Sequence, residues 1–287
     1  MKCQYCKNNK VIKYGIRRNK GTSKQIYKCQ KCEHKFVKND GFCHRSYSSD
    51  VITVALDLYV KGVSLRDTAD HIRMVYGVKP SHTTILEWIK QYGKMIEKYT
   101  DNLKPRLGSV WSADEMQIHM KSNKEFAMSY GNWLINVMDK RTRFLVVSEP
   151  RLFRDARTMS QIFDNLSEKH APKVLITDGC HSYKSSIRDS FGNRTKHVIA
   201  KGPGNKKNQS SRIERLNGTI RQREKVTRNY WRVSTARNTM RTFRIYYNFV
   251  RPNMALSGKT PAQKAGICLN LTGNRWRGLI EKSCMIK

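Results

Sequence analysis

Carboxylates are scarce in this 287-residue chain: 22 Asp and Glu stand against 56 Lys and Arg, a formal net charge of +34. So large an excess of one sign destabilises a compact state by self-repulsion, and the partner that offsets it is a polyanion. Long apolar runs are missing too. No stretch approaches the roughly 20 residues needed to span a bilayer, and no charged start followed by an apolar segment marks a secretion signal. The basic residues are spread along the chain instead of lying on one amphipathic helix. That excludes a membrane partner and favours nucleic acid. The expected setting is therefore cytoplasmic and nucleoid-associated, where the 8 cysteines serve as thiols or metal ligands and not as a disulfide framework.

Four of those cysteines form two C-x-x-C pairs, Cys3/Cys6 and Cys29/Cys32, separated by 22 residues. Each pair can offer two thiolates to one tetrahedral ion, so residues 1–44 read as a zinc ribbon holding one structural Zn²⁺. Strands are expected over Val11 to Ile16 and Gln25 to Lys28. His34, Cys43 and His44 are spare, because four sulfurs complete the site. Residues 45–104 read as a helix-turn-helix module. Asp50 to Tyr59 forms a first helix, Ser64 caps a second, and Ser81 caps a third with Ile85, Trp88, Ile89 and Tyr92 on its apolar face. Any small three-helix core has this periodicity. As a DNA reader, the module would place His82 and Thr83, at the exposed start of the third helix, nearest the bases.

From Val110 the period changes to two. Val110, Ser112, Asp114, Met116 and Ile118 share one face of a strand; Trp111, Ala113, Glu115 and Gln117 share the other. Asp114 thus points with the more apolar set, a costly place for an acid unless it is paired or binds metal. A hairpin follows, then a helix over Asp155 to Lys169. Lys173 to Thr177 (KVLIT) is a strand buried on both faces, ending in Asp178-Gly179. An acid at the carboxyl end of such a strand is where open α/β sheets place ligands, although Asp-Gly is also an ordinary turn. The basic stretch Lys201 to Lys225 opens with a Gly/Pro/Asn loop and becomes a helix at Ser211. Helical spacing puts Glu214, Gly218, Arg221 and Lys225 on one side and Ile213, Leu216 and Ile220 on another. Glu214 is either a metal ligand facing a phosphate chain or half of a capping box with Ser211. Residues 266–287 carry no usable pattern and read as a C-terminal tail.

Asp114, Asp178 and Glu214 are separated by 63 and 35 residues. A few convergent carboxylates can hold two Mg²⁺ ions roughly 3.5–4 Å apart, which activate the attacking hydroxyl and stabilise the leaving oxygen of phosphodiester displacement. These acids and gaps, with Arg221 seven residues after the Glu, resemble the DDE transposase and retroviral-integrase superfamily, and insertion-sequence transposases of bacteria and archaea in particular. WSADEM, ITDG, IERLNGTIR and YYNFVRPNMALSGKTPAQKAG are similar to that family's motifs. Met116 stands where many relatives have Thr, and Asn253 where His is common. The resemblance implies an RNase H-like fold over 105–265, an α/β mixed sheet with flanking helices. It implies Asp114, Asp178 and Glu214 as catalytic ligands of two Mg²⁺ (or Mn²⁺), and Arg221 on DNA; the basic stretch itself offers Arg212, Arg215 and Lys225 as further DNA contacts. The expected partners are double-stranded DNA, as element ends and target, and further copies of the chain, because two ends must be paired. The expected activity is cleavage of element ends and strand transfer. A catalytically dead, sequence-specific DNA-binding regulator is the alternative.

Overall fold

The computed structural model describes residues 1–19, 22–42, 45–121, 131–200, 211–227, 229–271 and 273–285. The expectations placed on Cys43, His44 and the 201–210 loop lie outside these. The chain divides into two compact units, one of 1–59, 65–100 and 271–287, the other of 60–64 and 101–270.

In the first unit, β1 (Val11–Asn19), β2 (Thr22–Cys29) and β3 (Lys35–Val37) form an antiparallel sheet in sequence order, with a bulge at Lys13/Gly15. The residue after each second cysteine, Lys7 and Glu33, takes a left-handed backbone (φ 59° and 56°), so both C-x-x-C segments turn back sharply. Three helices follow: α1 (Ser49–Val60), α2 (Leu65–Tyr76) and α3 (His82–Thr100). The Ser81 hydroxyl accepts from the Thr84 N–H at 3.1 Å, and Ile85, Trp88, Ile89 and Tyr92 are buried in the spacing expected of them. The third helix runs on to Thr100, because Ile96 and Thr100 continue the same buried stripe.

The tail expected at 266–287 is instead structured. Asn274 caps a helix over Arg275–Ser283, the last of the chain (α9 below), by accepting from the Arg277 N–H at 3.1 Å. It packs on α3, with Trp276, Leu279 and Ile280 buried. The Trp276 indole donates to Asp57 at 3.2 Å and Asn274 to the Thr53 hydroxyl at 2.8 Å. Its apolar residues, spread over only nine positions, are too few to announce a helix until a partner surface is known.

The second unit is built on a five-stranded mixed sheet of order β6-β5-β4-β7-β8. The strands are β4 (Val110–Gln117), β5 (Trp133–Asp139), β6 (Leu145–Arg151), β7 (Val174–Thr177) and β8 (Lys196–Ile199). β4, β5 and β6 pair antiparallel; β7 runs parallel to both β4 and β8. One sheet face packs on α4 (Ala156–Ser167) and α5 (His181–Phe191) through Trp111, Ala113, Phe163 and Tyr183. The other packs on α6 (Ser211–Thr227) and α7 (Val233–Ile245) through Met116, Ile118, Ile213, Ile220 and Phe243. A π-helical turn, Tyr246–Val250, continues α7, and a short α8 (Pro261–Lys264) and α9 complete the chain. This is the RNase H-like mixed sheet with flanking helices that the resemblance implies. Among the described residues no helix is long and apolar enough to cross a membrane.

Candidate active site

Register brings the first two acids together. β4 pairs parallel with β7 with Ser112 opposite Ile176, so two residues further along both strands Asp114 comes level with Asp178. Asp178 is the first residue beyond β7, where Gly179 (φ +95°) turns the chain out over Ile199. Its carboxylate accepts from the Cys180 N–H at 3.0 Å. Among the described residues, carboxylate oxygens of Asp114, Asp178 and also Glu115 lie within 4.8 Å of one another.

Asp114 faces the α6 side of the sheet and is partly buried. One of its oxygens accepts from the Glu115 N–H at 3.0 Å, the other from the Asn217 amide at 2.8 Å, and the buried Asn136 donates in turn to Asn217 at 2.7 Å. Burial, then the charges of Glu115 and Asp178, with a smaller share from Glu214, push the Asp114 carboxyl up to about 7. A carboxyl that resists ionising beside other acids is one that a divalent cation relieves, and hard oxygen donors are what Mg²⁺ and Mn²⁺ take. The donor set fits such an ion.

Glu115 is the residue that sequence reasoning missed. Its face of β4 was read as the less apolar one, but α4 and α5 cover it, and the Glu115 side chain is only 2% exposed. The Tyr183 hydroxyl donates to it at 2.6 Å and Arg154 pairs with it at 3.1 Å. The Arg154 guanidinium also lies over the Trp133 ring, 4.0 Å from its centroid. Trp111 and Ala113 on the same alternation were the available signal that this face is buried as well. Glu214, the third expected ligand, is not in the converged group. It sits exposed on α6, one turn before Asn217, where its charge bears on Asp114 without its oxygens joining the cluster. The Ser211 side chain lies outside the described residues, so its capping of Glu214 stays an expectation.

The other expected site residues fall in four places. Arg221 and Lys225 are exposed on the same side of α6 as Glu214; Arg212 and Arg215 are exposed nearer its start. His82 and Thr83 are exposed at the start of α3. Cys3, Cys6, Cys29 and Cys32 converge, with Sγ separations of 3.6 Å for Cys3–Cys32 and 3.5 Å for Cys6–Cys29. Sulfurs about 2.3 Å from one tetrahedral ion stand roughly 3.8 Å apart, so this donor set fits zinc. Backbone N–H groups, chiefly that of Cys32, hold the Cys29 thiol low, whereas the Cys32 thiol, despite the backbone N–H of His34, is pushed up by burial and by its neighbouring sulfurs; thiols that cannot all ionise together are ones a divalent cation relieves.

Residues 196–261, from β8 to the start of α8, match the integrase core domain family. The chain is 23% identical over 239 residues to the transposase of insertion sequence element IS257 in transposon Tn4003 of Staphylococcus aureus, covering 79% of this chain and 98% of that one. The same figures hold for the transposase of insertion sequence-like element IS431mec from S. aureus strain Mu50. The HTLV-2 integrase catalytic core domain in complex with magnesium aligns with 56% of this chain and 99% of its own, at 16% identity and a TM-score of 0.40.

Proposed function

We infer that this chain is a DDE transposase of a bacterial insertion sequence: a DNA transposase that binds the ends of its element, cuts there and joins the freed strand to target DNA. The observation that carries the reading is the convergence of Asp114 and Asp178 from neighbouring parallel strands, inside a fold whose closing segment matches an integrase core.

Two Mg²⁺ or Mn²⁺ ions held there would supply an activated hydroxyl and stabilise the leaving oxygen of an in-line displacement. The chain's own residues do the rest. Asp114 and Asp178 would hold the ions, and Glu214, exposed on α6, would complete the set of carboxylates. Asn217, itself held by Asn136, aims the Asp114 carboxylate. Glu115, braced by Tyr183 and Arg154, keeps the strand ends in register. Arg221 and Lys225 lie along the side of α6 that carries Glu214 and hold the DNA backbone there, with Arg212 and Arg215 as further contacts. The zinc-bound ribbon and α3, with His82 and Thr83 at base edges, read the element ends. Two or more copies pair two ends.

The test is a supercoiled plasmid carrying the gene with its native flanks, incubated with wild type or Asp178→Asn, with and without Mg²⁺. Metal-dependent 3′-end nicks and joined products at inverted repeats, lost in the variant, are expected. Tight binding to the flanks without cutting by either protein would replace this reading with that of a regulator.

A further inference from the structure

A second site stands on the opposite side of α6 from Glu214. A cavity of about 290 Å³ opens between α6, the β5–β6 turn and the segment after the π-helical turn. Four arginines line it: Arg143 from the turn, Arg212 and Arg215 from α6, and Arg251 from the last segment, with Tyr247 and Asn253 between them. No carboxylate lies among the lining residues described. Arginines gathered without an acid repel one another, and a structure that nevertheless holds them together is prepared for an anion.

The walls are built to hold this arrangement. Arg143 has a left-handed backbone (φ 59°), a conformation that non-glycine residues avoid. The turn is tied from below by the buried Asp139, which accepts from the N–H and hydroxyl of Thr142 and, at 3.3 Å, from the Arg141 N–H; the Arg143 N–H closes it onto the Asp139 carbonyl. Arg143 Nη1 then reaches Asn253 Oδ1 at 3.4 Å. The facing wall is locked to the same hairpin. The buried Asn248 accepts from the Leu145 N–H at 2.8 Å and donates to the Leu145 carbonyl at 2.9 Å, which fixes Arg251 three residues further on. Arg212 donates to the Lys140 carbonyl. Burial, with the charges of Arg212 and Arg215, lowers the proton affinity of Arg143.

We propose that this pocket is a phosphate site, in which Arg143, Arg212, Arg215 and Arg251 grip the backbone of the bound DNA away from the bond that is cut. The assignment to DNA and not to a free phosphate compound rests on the transposase reading. Guanidinium groups from three separate elements suit the several oxygens of a phosphate, and α6 carries both this pocket and Glu214, so a grip here positions the duplex against the carboxylates.

The test uses full-length protein as wild type, Arg143→Gly and Arg143→Gly/Arg251→Gln. Glycine is at ease at φ 59°, so the first variant removes the guanidinium without straining the turn, and its melting temperature should equal or exceed that of wild type. Duplex affinity is measured by fluorescence anisotropy across a salt series, and pyrophosphate binding by calorimetry. The expected result is a salt dependence shallower by about one contact in the single variant and about two in the double, with duplex binding weakened about tenfold or more at moderate salt. Pyrophosphate competition against duplex should weaken in step. Unchanged affinity and slope in both variants would overturn the proposal while leaving the transposase reading intact. Pyrophosphate binding that is lost in the variants while the duplex slope stays the same would reassign the pocket to a free phosphate compound. A wild type that binds no duplex at any salt would remove the transposase reading, and this proposal with it.

Discussion

Tyr183 is wholly buried, and its hydroxyl, 2.6 Å from Glu115, ties the turn that carries Asp178 to the strand that carries Asp114. Tyr183→Phe keeps the ring packed on Phe163 but leaves Glu115 with Arg154 alone. Losing such an outer partner weakens metal binding by about tenfold or more, so Mn²⁺ titration followed by electron paramagnetic resonance should show that drop with little change in melting. Equal Mn²⁺ affinity would deny Glu115 its bracing role. Asp114 supports a second expectation. Its proton affinity is raised in the folded state, to about 7, so the fold binds a proton there that the unfolded chain has released above about pH 4. Without divalent metal, stability should therefore fall as pH rises from about 4 to 7, and level off above. Melting curves of wild type against Asp114→Asn isolate that slope, and Mn²⁺ should restore the loss at neutral pH. A slope identical in the two proteins would mean that Asp114 is not its source. At this scale Asp114 and Asp178 were legible because strand alternation and a strand-end acid announce themselves in sequence. Glu115 was not, because which faces of a strand are covered depends on helices far along the chain.

Among elements, the ribbon and the last helix depend on contacts of opposite kinds. So small a three-stranded sheet, with a core cluster that includes Cys3, Cys29 and Phe36, would need an ion at its four cysteines to fold, as we propose for zinc. Cys3→Ser, or zinc removal, should abolish binding to one particular DNA sequence while Mn²⁺ binding at the carboxylates persists; full sequence-specific binding by zinc-free protein would contradict this. Gly41, by contrast, is needed for close approach. It sits at φ +87°, and a Cβ there would stand 2.6 Å from Ile280 on α9 and 2.7 Å from Cys284, which caps the end of that helix. Gly41→Ala should cost about 1–3 kcal/mol, seen in thermal unfolding of the first unit. A melting temperature like that of wild type would show that α9 gives way easily. Most elements could be read from capping serines and changes of period: α1 to α3, the β5–β6 hairpin and β7 appear within a few residues of their expected places. Helix α9 could not be read, because the surface that defines its buried face lies more than 170 residues earlier on α3.

At the scale of the whole molecule the chain makes two units, and the first is assembled from both its beginning and its last described segment. Removing residues 271–287 should therefore destabilise the ribbon and α1–α3 and leave the sheet unit's transition in place, which calorimetry can resolve as two peaks moving independently. A single peak shifting as one would refute that division. A chain leaving the ribosome at about 5–20 residues per second usually completes its domains from the front. Here the order is reversed. Residues 101–270, carrying the carboxylates, can close up while the unit at the front still waits for Trp276, Leu279 and Ile280 to emerge. The newly made protein thus gathers its carboxylates before it completes the part we assign to choosing where on DNA it acts, and the emergence of the segment from residue 271 onward is what completes that part.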